Sequence, residues 1–322
     1  MRCAACCASL NRQGRPGAAR HAARLLACAL GGAAGPALAQ AAPEPAVQTV
    51  YAVGDIARCP HPDTRWTGAA DTAAVVAAGL AADPQAVVLT LGDHTYPRGT
   101  AAEFANCYGP TWGRFKERTW PSPGNHEYYT KGALPYFAYF GARAGRGYYS
   151  LTLGSWRIYS LDSNLRGAAQ ETQLAWLKDE LARDPRAGAA PPCTLAFWHH
   201  PLYSSGGHGS VPAMRAAWML LQDAGAELVL SGHDHDYERF APQDADGRHD
   251  PRGPRQFVVG TGGAYPTPFL RIRKNSETRD ASRNGVLRLR LFAGGYDWEF
   301  LEATPPQLPN PSPPDHGSGR CH

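Results

Sequence analysis

Charge is scarce in this 322-residue chain: 19% of its residues are Asp, Glu, Lys or Arg, against 43% hydrophobic and 10% aromatic. Low charge with many aromatics excludes wholesale disorder and supplies apolar material for one sizeable core or two modest ones. The 35 glycines and 28 prolines follow no three-residue period, so collagen is excluded and a loop-rich domain is expected. Between Gln48 and about Leu301 there is neither a repeat nor a low-complexity stretch, which leaves one domain over 48–303. Residues 1–39 contain no Asp, Glu or Lys, and no apolar run reaches the ~20 residues needed to span a bilayer.

What residues 1–39 do contain is an address. Arg2, Arg12, Arg15, Arg20 and Arg24 precede an apolar stretch, Leu25 to Ala39, broken by Gly31, Gly32 and Pro36. Ala37-Leu38-Ala39 then offers a small-residue cleavage site before Gln40. This is the order of a secretory signal peptide, so export to a periplasmic or extracellular space is expected, with 40–47 as a short linker. Without the five arginines the 32 basic residues become 27 against 28 acids, a net charge of −1 in place of +4. A near-neutral processed chain gives no electrostatic reason to bind nucleic acid or to insert stably in a membrane. Nothing in it speaks to oligomeric state.

Cys59, Cys107, Cys193 and Cys321 remain after processing. They show no C-x-x-C spacing, which argues against a cysteine zinc site, and they allow two disulfides in three pairings. Cys59–Cys107 is favoured because both follow shortly after motif loops. Residues 304–322 hold six prolines and read as an extended C-terminal tail.

Short apolar runs predict buried strands at Thr49–Val53, Ala86–Leu91, Arg157–Leu161, Thr194–Trp198, Glu227–Leu230 and Phe257–Val259. Residues 286–291 alternate cleanly, and Gly294-Gly295 turns them into Tyr296–Leu301, an antiparallel hairpin with one wet face. Helices are expected at Asp71–Leu80, Gln170–Leu181 and Pro212–Ala224. Helices alternating with apolar strands indicate an α/β fold.

The apolar runs stop abruptly at metal-seeking residues. In order these are Gly54-Asp55, Gly92-Asp93-His94-Thr95-Tyr96, Gly124-Asn125-His126-Glu127, His199-His200-Pro201 and Gly232-His233-Asp234-His235. Ligand sites gather at the carboxyl ends of strands in open α/β sheets, and the glycine before Asp55, Asp93, Asn125 and His233 is expected to let the backbone turn tightly there. Mixed nitrogen and hard-oxygen donors suit Fe, Zn, Mn, Co or Ni better than Ca. Seven donors exceed the needs of one tetrahedral ion. They fit two ions sharing a carboxylate, roughly 3.5–4 Å apart, as for in-line displacement at phosphorus.

This ordered set resembles the calcineurin-like metallophosphoesterase superfamily, and Gly92-Asp93-His94-Thr95-Tyr96 resembles the Gly-Asp-x-x-Tyr motif of its purple acid phosphatases. The resemblance runs from about Val50 to Tyr237. It implies a four-layer α/β/β/α sandwich of two mixed sheets flanked by helices, in a compact form without the N-terminal β-sandwich of the large plant-type enzymes. It further implies that Asp55, Asp93, Tyr96 and His235 hold a first ion, Fe(III). Asn125, His199 and His233 complete a second site for Fe, Zn or Mn(II), with Asp93 bridging. His199 is preferred over His200 because the family spacing is His-x-Pro. The implied reaction is hydrolysis of small phosphate monoesters by a metal-activated hydroxide, with His126 or His208 protonating the leaving alcohol.

A phosphodiesterase or nucleotidase on the same site is the nearest rival, and a metal- or phosphate-binding protein without turnover is a second. Asp162, Glu127 and Asp234 are weighed as orienting groups against capping or solvated loop acids. Arg98 and Arg239 are weighed as phosphate contacts against surface ion pairs. Trp66, Trp112, Trp120, Tyr128 and Tyr129 stand between pocket lining and core.

Overall fold

A computed structural model of the chain describes residues 47–59, 67–183, 193–303 and 314–322. Residues 1–39, expected to be a signal peptide, nearly all of the expected 40–47 linker and Trp66 lie outside the described residues. The strands are β1 Gln48–Val53, β2 Ala57–Arg58, β3 Val87–Leu91, β4 Thr95–Tyr96, β5 Thr119–Ser122, β6 Tyr149–Leu153, β7 Trp156–Ser160 and β8 Cys193–Phe197. They continue with β9 Leu228–Ser231, β10 Tyr237–Phe240, β11 Arg255–Val259, β12 Ser276–Asp280, β13 Gly285–Phe292, β14 Gly295–Glu302 and β15 His316–Arg320. One sheet has the order β15-β14-β13-β1-β3-β5, and a second the order β12-β10-β11-β9-β8-β7-β6. Both are mixed: β1, β3 and β5 run parallel in the first, and β7, β8, β9 and β11 in the second.

Alternation within strands shows the layers. In β8, Cys193, Leu195 and Phe197 join a core that takes residues from both sheets, whereas Ala196 packs with Leu177, Trp218 and Leu221. Those partners come from the helices Ala168–Ala182 and Arg215–Asp223. The helix Gly68–Ala82 covers the other side of the first sheet, where a side chain at Gly79 would strike the Tyr51 hydroxyl. The result is the expected α/β/β/α sandwich. Strands buried on both faces carry continuous apolar runs, which is why they were legible. The hairpin β13–β14 also forms as expected, with Leu287, Leu289 and Leu291 buried and Arg290 exposed.

Other elements escaped the pattern. β12 is Ser-Glu-Thr-Arg-Asp on a sheet edge and has no apolar face to betray it. A run of short helical turns over 101–144 buries Phe104, Tyr108, Trp112, Tyr136 and Phe140 without a helical period long enough to read. The reading of 304–322 as a tail is corrected for its last residues. His316–Arg320 pairs antiparallel with β14, and Cys321 is bonded to Cys193 at the start of β8. Glycines at 317 and 319 suit this edge because side chains there would strike Trp298 and Tyr296. The other disulfide is Cys59–Cys107, as favoured from sequence.

The Cys193–Cys321 bond closes a separation of 128 residues. Cys321→Ala should therefore cost about 2–5 kcal/mol, chiefly by freeing the unfolded chain. Calorimetry would show a lowered Tm; an unchanged Tm would mean that strand pairing alone holds β15.

Candidate metal centre

Five strand ends deliver the candidate donors. Asp55 follows β1, Asp93 follows β3, Asn125 follows β5, His199 follows β8, and His233 and His235 follow β9; Tyr96 lies in β4. The loops are stitched to one another through the backbone. The Asp55 amide donates to Gly92 O at 3.1 Å, Ile56 to Asp93 O at 2.9 Å and Gly232 to His199 O at 3.0 Å.

Of the four glycines that precede donors, Gly92 takes the expected left-handed turn, at φ 85°, and Gly54, Gly124 and Gly232 do not. The left-handed backbone also falls on the donors themselves: φ is 61° at Asp55, 49° at Asp93 and 74° at His233. For residues with a Cβ this conformation costs roughly 1 kcal/mol or more each, strain characteristic of functional sites. Gly124 and Gly232 supply clearance instead, since a side chain at either would run into the carboxylate of Asp93 or Asp55 respectively.

The seven side chains gather into two groups that share one carboxylate. On one side the Tyr96 hydroxyl lies 2.8 Å from Asp55 Oδ1, 3.3 Å from Asp93 Oδ2 and 3.1 Å from His235 Nε2. On the other, His199 Nε2 lies 3.2 Å from Asp93 Oδ2, 3.0 Å from Asn125 Oδ1 and 3.2 Å from His233 Nδ1. Backbone partners fix the ring edges. His199 Nδ1 donates to Leu91 O and His235 Nδ1 to Tyr265 O, both at 2.8 Å, so each ring turns its Nε2 inward.

Without a cation few protons join these groups: the Tyr96 hydroxyl donates to Asp55, and His199 takes up a proton. Burial disfavours an imidazolium at His199, yet the Asp93 and Asp55 carboxylates carry its pKa up to about 10. His233 moves the other way, to about 2, through burial and the neighbouring His199. Burial pushes the Tyr96 phenol well above its ordinary range, and Asp55 and Asp93 push it further. A buried donor set with this excess of lone pairs and negative charge fits cations.

The sequence profile of the calcineurin-like phosphoesterase family matches residues 48–237. The chain belongs to that family. Purple acid phosphatase 15 of Arabidopsis thaliana is 28% identical over 214 residues, 55% of this chain and 40% of that protein. The chain thus spans well under half the length of that relative. Among solved structures, a purple acid phosphatase from yellow lupin (Lupinus luteus) seeds superposes with a TM-score of 0.66 at 20% identity, over 85% of this chain and 54% of that one. A dimetal phosphatase from Danio rerio gives 0.60 at 13% identity, over 85% and 99%. These likenesses place the two-sheet sandwich in the metallophosphoesterase fold.

Around these seven donors the other candidates separate. His126 donates from Nδ1 to Pro97 O at 2.6 Å, leaving Nε2 3.8 Å from Asp93 Oδ2, and its amide donates to Asp93 Oδ1 at 2.9 Å. The His208 ring lies 4.7 Å from that of His233 and 5.5 Å from that of His235. His200 is turned aside: its Nδ1 meets Ser163 Oγ at 2.8 Å, although its ring stays 4.4 Å from His233. Asp162 takes the Tyr128 hydroxyl and the Asn164 amide. Arg239 pairs with Glu277 and Asp315, and Arg98 donates to Tyr129 O. Trp112 is core, donating to Ala69 O. Cys193, Glu227 and Cys321 also cluster, but their sulfurs are consumed in the disulfide.

Glu127 and Asp234, weighed as exposed loop acids, are both fully buried. Glu127 accepts the amides of Asp93, His94 and Gly124 at 3.0, 2.9 and 2.7 Å. Asp234 accepts Ser204 Oγ and the amides of His208 and Gly209, pinning the His208 loop. A signal for Glu127 was present: an acid three residues after Gly124, at the third position of the short helix Asn125–Tyr128, is a capping pattern.

Proposed function

We propose that the chain is an exported phosphomonoesterase with a dinuclear metal centre. The observation that carries this is Asp93 Oδ2, within 3.3 Å of the Tyr96 oxygen on one side and 3.2 Å of His199 Nε2 on the other. Asp55, Asp93, Tyr96 and His235 would hold Fe(III), and Asp93, Asn125, His199 and His233 a divalent Fe, Zn or Mn. Bound there, two cations lower the pKa of water and offset charge on phosphoryl oxygens. The chain's own residues do the rest. Asp55 and Asp93 set the negative field that favours loading. His126 and His208 flank the centre, partly exposed, each with one ring nitrogen held, by Pro97 O and by Asp234 Oδ1 at 3.3 Å. Each thus presents its Nε2 to give the leaving alcohol a proton. The name and fold of the relatives support the reading, and two disulfides suit an exported chain. Among the described residues no helix is long and apolar enough to cross a membrane.

Purified processed protein should contain two metal ions per chain, absorb visible light, and release phosphate from p-nitrophenyl phosphate faster than it cleaves the bis-ester. Preference for the bis-ester would make it a diesterase. Failure of metal-replete protein on a broad ester panel would make it a binding protein.

Tyr96 tests metal identity. Its phenol is held protonated by burial and by two carboxylates, so only a strongly charged ion makes it a phenolate. Tyr96→Phe should abolish the visible band while leaving at least the second ion bound. A band that survives the substitution would move the chromophore elsewhere.

A further inference from the structure

The rim of the centre carries a feature that phosphate chemistry does not need. Tyr265 is 72% exposed, far more than a large ring ordinarily is in a protein interior or cleft. Its backbone stands at the centre, since Tyr265 O accepts from His235 Nδ1 at 2.8 Å. The segment is fixed on both flanks: Ala264 donates to Asp55 O at 2.9 Å, and the His235 amide donates to Thr267 Oγ1 at 2.9 Å.

Arg58 lies with its guanidinium carbon 3.3 Å from the centre of the Tyr265 ring. Arg58 belongs to β2, where it pairs with Tyr96 of β4, so it too is anchored to a donor. Among the described residues it makes no ion pair. A guanidinium spent on an exposed ring rather than on a carboxylate holds that ring in one orientation, with one face covered and the other left to solvent. Across the centre Tyr129, 51% exposed, accepts from Asn125 Nδ2 at 3.1 Å and lies 4.7 Å ring to ring from His126. Each half of the donor cluster therefore has an exposed tyrosine beside it.

We propose that the Arg58–Tyr265 pair is a stacking platform that selects phosphate monoesters whose alcohol carries a planar aromatic group, a nucleoside or an aryl ester. The inference rests on the phosphomonoesterase reading. A rigid aromatic surface gains stacking energy without first being ordered, and every base or aryl ring has a face to offer it. The guanidinium beneath strengthens the platform and offers free N–H groups to polar edges of the substrate.

AMP and ribose 5-phosphate isolate the effect, because phosphate leaves the same primary alcohol in both and only the base differs. Metal-replete wild-type protein should favour AMP by roughly tenfold in kcat/KM, through KM. In Tyr265→Ala that ratio should collapse toward one, and in Tyr265→Phe it should persist; effects on the shared chemistry cancel in the ratio. The pair 2-phenylethyl phosphate and butyl phosphate distinguishes aryl from nucleoside recognition. Equal handling of both members of both pairs by the wild type, or a preference that survives Tyr265→Ala, would overturn the platform and leave the phosphatase reading standing. If no ester is turned over, the phosphatase reading falls and calorimetry decides: tighter binding of AMP than of ribose 5-phosphate supports the platform, and equal binding overturns it.

Discussion

Asp93→Asn should reduce kcat by about 10³-fold or more while the protein remains folded. The carboxylate has a divided task. Oδ1 accepts the His126 amide at 2.9 Å, and Oδ2 stands between the Tyr96 and His199 groups. An asparagine keeps the shape and one acceptor, so the His126 amide need not be orphaned. It removes the negative charge that both groups share, and places either a neutral oxygen or an NH2 where a bridging lone pair is wanted. Metal content should fall below two ions per chain. Near-normal kcat per bound metal would reject the dinuclear scheme.

The parts of this molecule that were legible in its sequence are those whose cause is local. Val87–Leu91 and Cys193–Phe197 declare themselves as strands because burial on both faces leaves each a single threonine among apolar residues. The donors declare themselves because each apolar run ends at a side chain that a core cannot hold, Asp55, Asp93 or His199. Choosing His199 over its neighbour needed the His-x-Pro spacing, because both rings reach the cluster: His199 Nε2 meets Asn125 and Asp93, and His200 meets Ser163 with its ring 4.4 Å from His233.

The illegible parts depend on distant chain. β15 has Gly-Ser-Gly at its middle and becomes a strand through β14 and the Cys193 disulfide. Tyr265 lies 30 residues beyond His235 and reaches the centre through a backbone carbonyl, for which no side-chain pattern exists. The job of Gly124 was hidden for a similar reason. A glycine before a donor looks like the source of a turn, but clearance between two loops, as at Gly124 against Asp93, is set by the other loop.

Glu127 joins these two kinds of cause, and its replacement is the other large effect expected. Oε2 accepts the amides of Asp93 and Gly124, and Oε1 accepts that of His94, so one carboxylate clamps the loops after β3 and β5 together. The Asp93 amide that it accepts belongs to a residue in the left-handed conformation. Burial by itself would raise the Glu127 pKa, but the His94 ring 3.4 Å away and the backbone amides hold it below the ordinary 4.5. Glu127→Gln turns one oxygen into a donor aimed at donors, leaving at least one buried amide unpaired. The cost should be about 1–3 kcal/mol for each orphaned group. Because the folded pKa is lowered, the stabilisation is present above the unfolded value and is lost as pH falls through the folded one. The Tm gap between wild type and variant should be wide at neutral pH and narrow in acid. If Glu127 positions Asp93, metal affinity or kcat of the folded variant should also drop by about 10–100-fold. A lower Tm with metal affinity and kcat intact would reduce Glu127 to a cap on the short helix Asn125–Tyr128, and the left-handed turn at Asp93 would then be held by the metal site alone.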